Sequence, residues 1–205
     1  GLVGLAATGA FATPVTASTL CDGRNSEITD GSVIVIERPP TDGRGVAIQA
    51  CGRVDAPPEQ VWPVMIQCDY FEEFLPSVAS SKLLSRDGEV AVCETDINLP
   101  FPLSNIHSVT RNIETALESG GFAKRWTLVR GSYKRNVGSW TVLPWPEDAN
   151  RTLLVYDVDI DPDSLIPDFI LRRIQSSTAP DVFAAVRDRV AYCAERQSEQ
   201  ACRVD

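Results

Sequence analysis

The stretch Leu165–Tyr192, LIPDFILRRIQSSTAPDVFAAVRDRVAY, decides the fold. Its apolar residues recur three or four positions apart, which is the period of one face of an α-helix. Pro180 predicts a kink or short break near Ala179, because the residue before a proline disfavours the helical conformation. The apolar face consists of Ile166, Phe169, Ile170, Ile174, Val182, Phe183, Val186 and Val190.

The residues upstream of this helix, from Ser32 to Asp161, mostly predict strands. β-branched and alternating runs are separated by turn signals such as Asp87-Gly88 and Gly120-Gly121. We expect about seven antiparallel strands in a meander, with two short helices after the first hairpin. A long helix that follows such strands needs a concave sheet to pack on, and a sheet that curls around a helix encloses a space.

Composition limits the possible partners. The chain has 205 residues and a formal net charge of −9, and its length suits one domain. Binding of nucleic acid requires clustered Lys and Arg, so we expect no nucleic-acid partner. We expect a monomer.

Residues 1–17, GLVGLAATGAFATPVTA, are uncharged and rich in small residues. They end in Val15-Thr16-Ala17, which resembles a signal-peptidase site, so we interpret them as the remnant of a secretory signal. The alternative is an ordered N-terminal arm. The first interpretation predicts a secreted or periplasmic protein with a loop or arm at 18–31, a domain at 32–192 and a polar tail at 193–205.

Six cysteines stand at positions 21, 51, 68, 93, 193 and 202, with no CxxC spacing. His107 is the one histidine of the chain, so we expect no metal site. In an exported protein this even count is compatible with disulfides. Cys193 and Cys202 are the best candidate pair, because the polar segment after the long helix would otherwise fray. The alternative for Cys51, Cys68 and Cys93 is that they are ordinary buried small hydrophobic side chains.

The order of elements resembles the α+β helix-grip fold of the START-like proteins (the SRPBCC superfamily), which include polyketide cyclases and lipid-transfer proteins. Val54–Trp62, VDAPPEQVW, resembles the strand-to-helix entry of that family. Leu99–Ser104, LPFPLS, is similar to its proline-aromatic-proline turn, and Gly131–Pro144 resembles its late hairpin. The resemblance covers roughly Ser32–Tyr192. One departure is Ile106-His107, which stands where many members have an Arg-Asp pair.

The resemblance implies a cavity for a hydrophobic ligand between the sheet and the C-terminal helix. Strand alternation then suggests which side chains point inward, and a packed core is the alternative for the same residues. The candidate ligand-binding residues are Ile48, Trp140, Val142, Leu154, Tyr156, Val158, Phe169, Ile170, Ile174, Val182, Phe183 and Val186.

Polar residues on the middle strands are candidate anchors for a ligand hydroxyl or headgroup. They are Glu94, Asp96, Arg111 and Arg125, for which a solvated outer face is the alternative. His107 lacks a placed partner, which is more typical of a structural role than of a general acid or base. No nucleophile elbow, phosphate loop or dinucleotide motif is present in the sequence, so we assign no catalytic residue and expect no cofactor.

The proline-rich loop is a candidate gate, formed by Leu99, Pro100, Phe101, Pro102 and Leu103. It would cover the mouth of the cavity or touch a bilayer transiently. Together these features predict a protein that binds a lipid of the sterol, phospholipid or quinone class and carries it between membranes. The alternative is an enzyme of the cyclase or aromatase type that uses the same cavity.

Overall fold

The computed structural model describes residues 21–100, 103–164 and 166–203. The predicted signal remnant at 1–17 lies outside these residues. None of the helices within the described ranges is long and apolar enough to cross a membrane.

Eight antiparallel strands form one sheet in the order β1-β2-β8-β7-β6-β5-β4-β3. From β3 to β8, each strand pairs with the next strand in sequence, as β1 does with β2, and β2 pairs with β8. The predicted antiparallel meander is therefore confirmed, with one strand more than expected. The strands are β1 Val33–Arg38, β2 Val46–Val54, β3 Val78–Asp87, β4 Val90–Ile97, β5 Ile106–Leu117, β6 Gly121–Gly131, β7 Tyr133–Trp145 and β8 Asp148–Pro162.

Two short helices connect β2 to β3. Helix α1 spans Pro58–Ile66 and begins with a proline, whose missing N–H is not needed in the first turn. Helix α2 spans Phe71–Phe74 and follows a 3₁₀ turn at Cys68–Tyr70. The long C-terminal helix α3 spans Asp168–Glu195.

Helix α3 is continuous through Pro180, so the predicted break near Ala179 is absent. A proline inside a helix removes one backbone hydrogen bond, and buried packing on either side offsets that loss. Ala179 is 4% exposed and Phe183 is fully buried. In the turn before the proline, the hydroxyls of Ser177 and Thr178 both donate to the carbonyl of Ile174, at 3.1 and 2.9 Å.

The second half of α3 packs on β2, and Phe183 also contacts Trp140 of β7. The ring of Phe183 lies against Gly52, where an added Cβ would come within 2.6 Å of its Cδ1. A glycine is therefore needed where the Phe183 ring of the helix contacts β2. The fully buried residues of this core include Ile48, Val142, Leu154, Phe183 and Val186.

All six cysteines form disulfides. Cys193–Cys202 is present as predicted. Cys21–Cys51 and Cys68–Cys93 overturn the alternative that Cys51, Cys68 and Cys93 are unpaired small side chains. Cys21–Cys51 belongs to a small core with Leu143, Leu153 and Val155, whereas Cys68–Cys93 joins the 3₁₀ turn to β4.

Candidate functional site

A cavity of about 320 Å³ lies between the first half of α3 and the strands β4–β8. The helix contributes Leu171, Ile174 and Val182 to its wall. Its volume is near the lower end of the range typical for small-molecule sites, about 300–1,000 Å³. The expected space between sheet and helix is therefore present, and it lies beside the tightly packed core.

One wall of the cavity is aromatic. Tyr156 lies between two tryptophans, with its ring centroid 4.5 Å from that of Trp140 and 6.0 Å from that of Trp126. The Trp126 indole N–H donates to Asn136 Oδ1 at 2.9 Å. Burial raises the pKa of Tyr133 to about 12 and also raises the pKa of Tyr156, so both phenols stay neutral at physiological pH. This wall offers flat apolar contact together with neutral hydroxyl groups.

A second wall, on β4 and β5, is small and polar. Thr95 and Ser108 face each other across the two strands, with their hydroxyl oxygens 3.0 Å apart. Asn112 is buried, and its amide donates to the carbonyl and the hydroxyl of Thr110, both at 3.2 Å. Small side chains here leave the volume that larger apolar residues fill elsewhere in the sheet.

A buried lysine lines the cavity. Lys124, on β6, is 4% exposed and lines the space. Its Nζ donates to the carbonyl of Met65 at 2.5 Å and lies 4.6 Å from the ring centroid of Phe71. Burial lowers the pKa of Lys124 to about 8, because the charged ammonium loses its hydration, and Glu114 opposes that shift.

Lys124 was missed by the sequence reasoning. A lysine is ordinarily expected at the surface, and the polar anchor candidate on this strand was its neighbour Arg125, which is exposed. The available signal was parity along β6, because Lys124 shares the inward face with Trp126.

Five of the twelve candidate ligand-binding residues line the cavity: Trp140, Tyr156, Val158, Ile174 and Val182. Five others belong to the packed core instead: Ile48, Val142, Leu154, Phe183 and Val186. Ile170 is half-buried and lies outside the lining. Phe169 was expected to point inward, and that placement is wrong because its side chain is 69% exposed. The cavity-facing side of α3 runs instead through Leu171, Ile174 and Val182.

The four polar anchor candidates lie outside the cavity. On β4 the lining residues are Cys93, Thr95 and Ile97, so Glu94 and Asp96 project from the opposite face. Arg111 and Arg125 are exposed on the same outer face. The solvated outer face, which was the alternative for these residues, is what the structure contains.

His107 also lies on this outer face, between two carboxylates. Its Nδ1 is 2.9 Å from Asp96 Oδ1, and its Nε2 is 3.5 Å from Glu94 Oε1. Hydrogen bonds from Ser80 and then His107 lower the pKa of Asp96. His107 is therefore part of a surface cluster on the face of the sheet opposite to Thr95 and Ser108.

The described part of the candidate gate loop borders the cavity. Leu99 and Pro100 are among the lining residues, and the N–H of Leu103 donates to the carbonyl of Pro100 at 3.0 Å. Phe101 and Pro102 lie outside the described residues. The role of this loop as a gate stays a prediction.

The titratable and metal-binding residues near the cavity are few in the described part of the chain. Within the described ranges, no group of His, Cys, Asp and Glu could hold a metal ion. Lys124, Tyr133 and Tyr156 are the titratable side chains that line the cavity in the part of the chain described.

Comparison with known proteins identifies related folds. A model of the family "polyketide cyclase / dehydrase and lipid transport" matches residues 54–187. No protein of curated function matches the chain in sequence.

Solved structures extend this similarity to most of the chain. A STAR-related lipid transfer protein from Xanthomonas axonopodis is 22% identical with a TM-score of 0.69, and the match covers 80% of this chain and 95% of that one. The human StAR-related lipid transfer protein 5 is 17% identical with a TM-score of 0.65, covering 84% of this chain and 86% of that one. The Zhui aromatase/cyclase from a Streptomyces species is 15% identical with a TM-score of 0.55, covering 84% of this chain and 100% of that one. These similarities establish the helix-grip fold.

Proposed function

Because the chain belongs to the polyketide cyclase / dehydrase and lipid transport family, we propose that it binds a lipid in the cavity under α3 and carries it between membranes. The observation that carries this proposal is the cavity of about 320 Å³, with the aromatic rings of Trp126, Trp140 and Tyr156 on one wall. Lipid-transfer proteins among the similar structures support it.

Burial of the cargo supplies the affinity. Each Å² of apolar surface removed from water contributes about 25 cal/mol, so a lipid-sized molecule binds without strong polar contacts. The hydroxyls and the Asn112 amide on β4 and β5, together with Lys124 on β6, are the groups that the polar atoms of the cargo would contact. Three disulfides are compatible with an oxidising compartment, which supports action in the periplasm or outside the cell.

Binding is tested by filling the cavity. Val182→Trp would place an indole in the space under α3, whereas Val129→Trp adds the same group to a position that is 56% exposed on the outer face of β6. The proteins are incubated with a total lipid extract, repurified, and their organic extracts measured by mass spectrometry. We expect stoichiometric lipid on the wild type and on the Val129 variant, and little on the Val182 variant. Equal retention by both variants would place the lipid elsewhere.

Transfer is tested at the mouth of the cavity. Leu99→Asp puts a charge on a lining residue of the candidate gate, and Leu84→Asp puts the same charge on an exposed position of β3. A fluorescent lipid moving between donor and acceptor liposomes reports the transfer rate. We expect slower transfer only with Leu99→Asp; unchanged transfer would reject the gate and leave binding untouched.

A second candidate function is that of a cyclase or aromatase. It is favoured by the convergence of polar groups on the cavity, and by Lys124, whose pKa of about 8 is in the range that suits proton transfer near neutral pH. The similar aromatase/cyclase structure belongs to the same fold. Formation of an ultraviolet-absorbing ring from a linear polyketone would support this function, and its loss in Lys124→Met would place the reaction in the cavity.

A further inference from the structure

The ammonium group of Lys124 has few hydrogen-bond partners. Of its three N–H bonds, one is used by the Met65 carbonyl, and the other two have no hydrogen-bond acceptor among the described residues. The ring of Phe71, which also lines the cavity, lies beside the Nζ atom. The group is therefore fully buried, faces a space that a ligand can enter, and retains unused donors.

The charges around Lys124 do not balance. Glu114 lies directly opposite on β5, but both of its oxygens are bonded by Arg86, at 2.6 and 3.0 Å. Glu114 and Arg86 are the charged side chains whose field acts on Lys124. Two cations and one carboxylate leave one net positive charge, and Lys124, which lines the cavity, is only 4% exposed. A buried ion without a counter-charge is costly, and an anion in the cavity would remove that cost.

The shape of the cavity restricts the kind of anion. Aromatic and aliphatic side chains such as Trp140, Val158 and Val182 line the part that the apolar cargo would fill. A volume near the lower end of the usual range suits one alkyl chain better than two. A single excess charge matches a carboxylate, whereas a phosphate monoester brings almost two negative charges at neutral pH.

We propose that the cargo is a single-chain apolar carboxylic acid whose carboxylate binds the buried Lys124 ammonium in the cavity. This inference rests on the proposed lipid-binding function and names the chemical class of the cargo. The carboxylate would accept the two free N–H bonds of Lys124, as charge-assisted hydrogen bonds. An alcohol or ester of the same chain length would bury the same apolar surface without neutralising the site.

The test compares headgroups on one alkyl chain. Dodecanoate, dodecanol and dodecyl phosphate compete against a neutral naphthylamine probe that fluoresces on entering apolar cavities. The proteins are the wild type, Lys124→Met, which keeps the length and removes the charge, and Lys82→Met, the same change at an exposed position of β3. Circular dichroism verifies that each variant is folded, and binding of the neutral probe reports the cavity itself.

We expect dodecanoate to bind the wild type and Lys82→Met about tenfold or more tightly than dodecanol, the size expected for a hydrogen bond to a charged group. Lys124→Met should abolish this preference and leave the affinity for dodecanol nearly unchanged. The dodecanoate affinity of the wild type should also weaken as the pH rises above about 8, where free Lys124 loses its proton while the carboxylate stays ionised.

Each alternative outcome has one meaning. Equal affinity of the wild type for dodecanoate and dodecanol would overturn the carboxylate proposal while the lipid-binding function stands. Tighter binding of dodecyl phosphate would also overturn it, in favour of a phosphate headgroup. If neither the probe nor any ligand enters the wild type, the proposed function fails first.

Discussion

The two halves of the sheet face the same helix but use it differently. Over β2 the second half of α3 packs directly on the sheet, and Phe183 and Val186 are fully buried. Over β4, β5 and β6 the first half of α3 stands away from the sheet, and Thr95, Ser108 and Lys124 line a cavity. One half therefore contains the apolar core, and the other contains the candidate binding site.

This difference arises from side-chain size and polarity. The inward residues of the packed half include Ile48, Val142 and Leu154, whereas those of β5 include Ser108, Thr110 and Asn112. Small polar side chains cannot fill the space under α3, and they keep it compatible with a polar group on a ligand. We infer that mutations in the packed half of the sheet should affect mainly stability, and mutations in the cavity half mainly binding.

The largest expected effect is in the packed half. Phe183→Ala removes a fully buried ring that contacts Trp140 at 5.8 Å between centroids, so it should lower the free energy of unfolding by about 3–5 kcal/mol. Val182→Ala, one residue earlier, removes atoms from the wall of an existing cavity and should cost less than half as much. Urea denaturation of both variants measures the difference. Equal losses would contradict the division into two halves.

The disulfides provide the next comparison. Replacing either the Cys21–Cys51 or the Cys68–Cys93 pair by serines should cost about 2–4 kcal/mol, because each closes a loop of similar length, with sequence separations of 30 and 25. Cys93 lines the cavity, whereas Cys21 and Cys51 lie in the small core with Leu143. Only the loss of Cys68–Cys93 should therefore also weaken binding of the neutral probe. Parallel effects of both pairs on probe binding would show that the two halves are coupled.

The third effect is a gain in the free energy of unfolding, and it concerns Lys124. The folded-state pKa of Lys124, about 8, is below the ordinary value of about 10.4, so the unfolded chain binds this proton more tightly. The charge therefore destabilises the fold below pH 8, and this penalty disappears as the pH rises from 8 to above 10. At pH 7, Lys124→Met should raise the free energy of unfolding by about 1–3 kcal/mol, after the loss of the hydrogen bond to Met65.

The control for Lys124→Met is Lys82→Met, a substitution at an exposed position that should leave the free energy of unfolding unchanged. The gain from Lys124→Met should be absent at pH 10.5, which chemical denaturation at the two pH values measures. A destabilised Lys124→Met at pH 7 would mean that the ammonium has a structural role. A stabilised variant that has lost dodecanoate binding would show a site kept at the expense of stability.

Sequence periodicity predicted the packed half well. The spacing of Val182, Phe183 and Val186 predicted helix α3, and strand alternation placed Ile48 and Leu154 on the inner face of the sheet. Periodicity identifies which side of an element is apolar, but it does not report whether facing side chains meet. Core and cavity residues were therefore mixed in one candidate set, in which Phe183 and Val182 have different environments.

In the cavity half, the alternation itself was misleading. On β4 the apolar residues Val90 and Val92 share their parity with Glu94 and Asp96, yet the inward residues are Ala91, Cys93 and Thr95. An error of one residue reverses the faces of a strand, and small or polar inward residues give no hydrophobic signal to prevent it. Lys124 was missed for a similar reason. Its burial depends on the tertiary fold around Met65 and Phe71, which strand alternation does not report.

The smallest effect belongs to the outer face of the cavity half. Asp96 accepts hydrogen bonds from Ser80 at 2.7 Å and from His107 at 2.9 Å, which lower its pKa. A carboxyl group with a depressed folded-state pKa stabilises the fold above its unfolded pKa of about 3.9, and this contribution is lost as the pH falls through the folded-state value. Because the side chain is 40% exposed, solvent screens the interaction, and Asp96→Asn should cost less than about 1 kcal/mol at pH 7.

Ser80→Ala removes one of the two hydrogen bonds and should give part of the same loss. Denaturation of the two variants from pH 7 downward should show the Asp96→Asn deficit shrinking as Asp96 becomes protonated in the wild type. Neither variant should alter the affinity for dodecanoate, because Asp96 projects from the face opposite to Thr95 and Ile97. A change in that affinity would mean that the outer cluster around His107 communicates with the cavity through β4. The two faces of this half of the sheet would then not be independent.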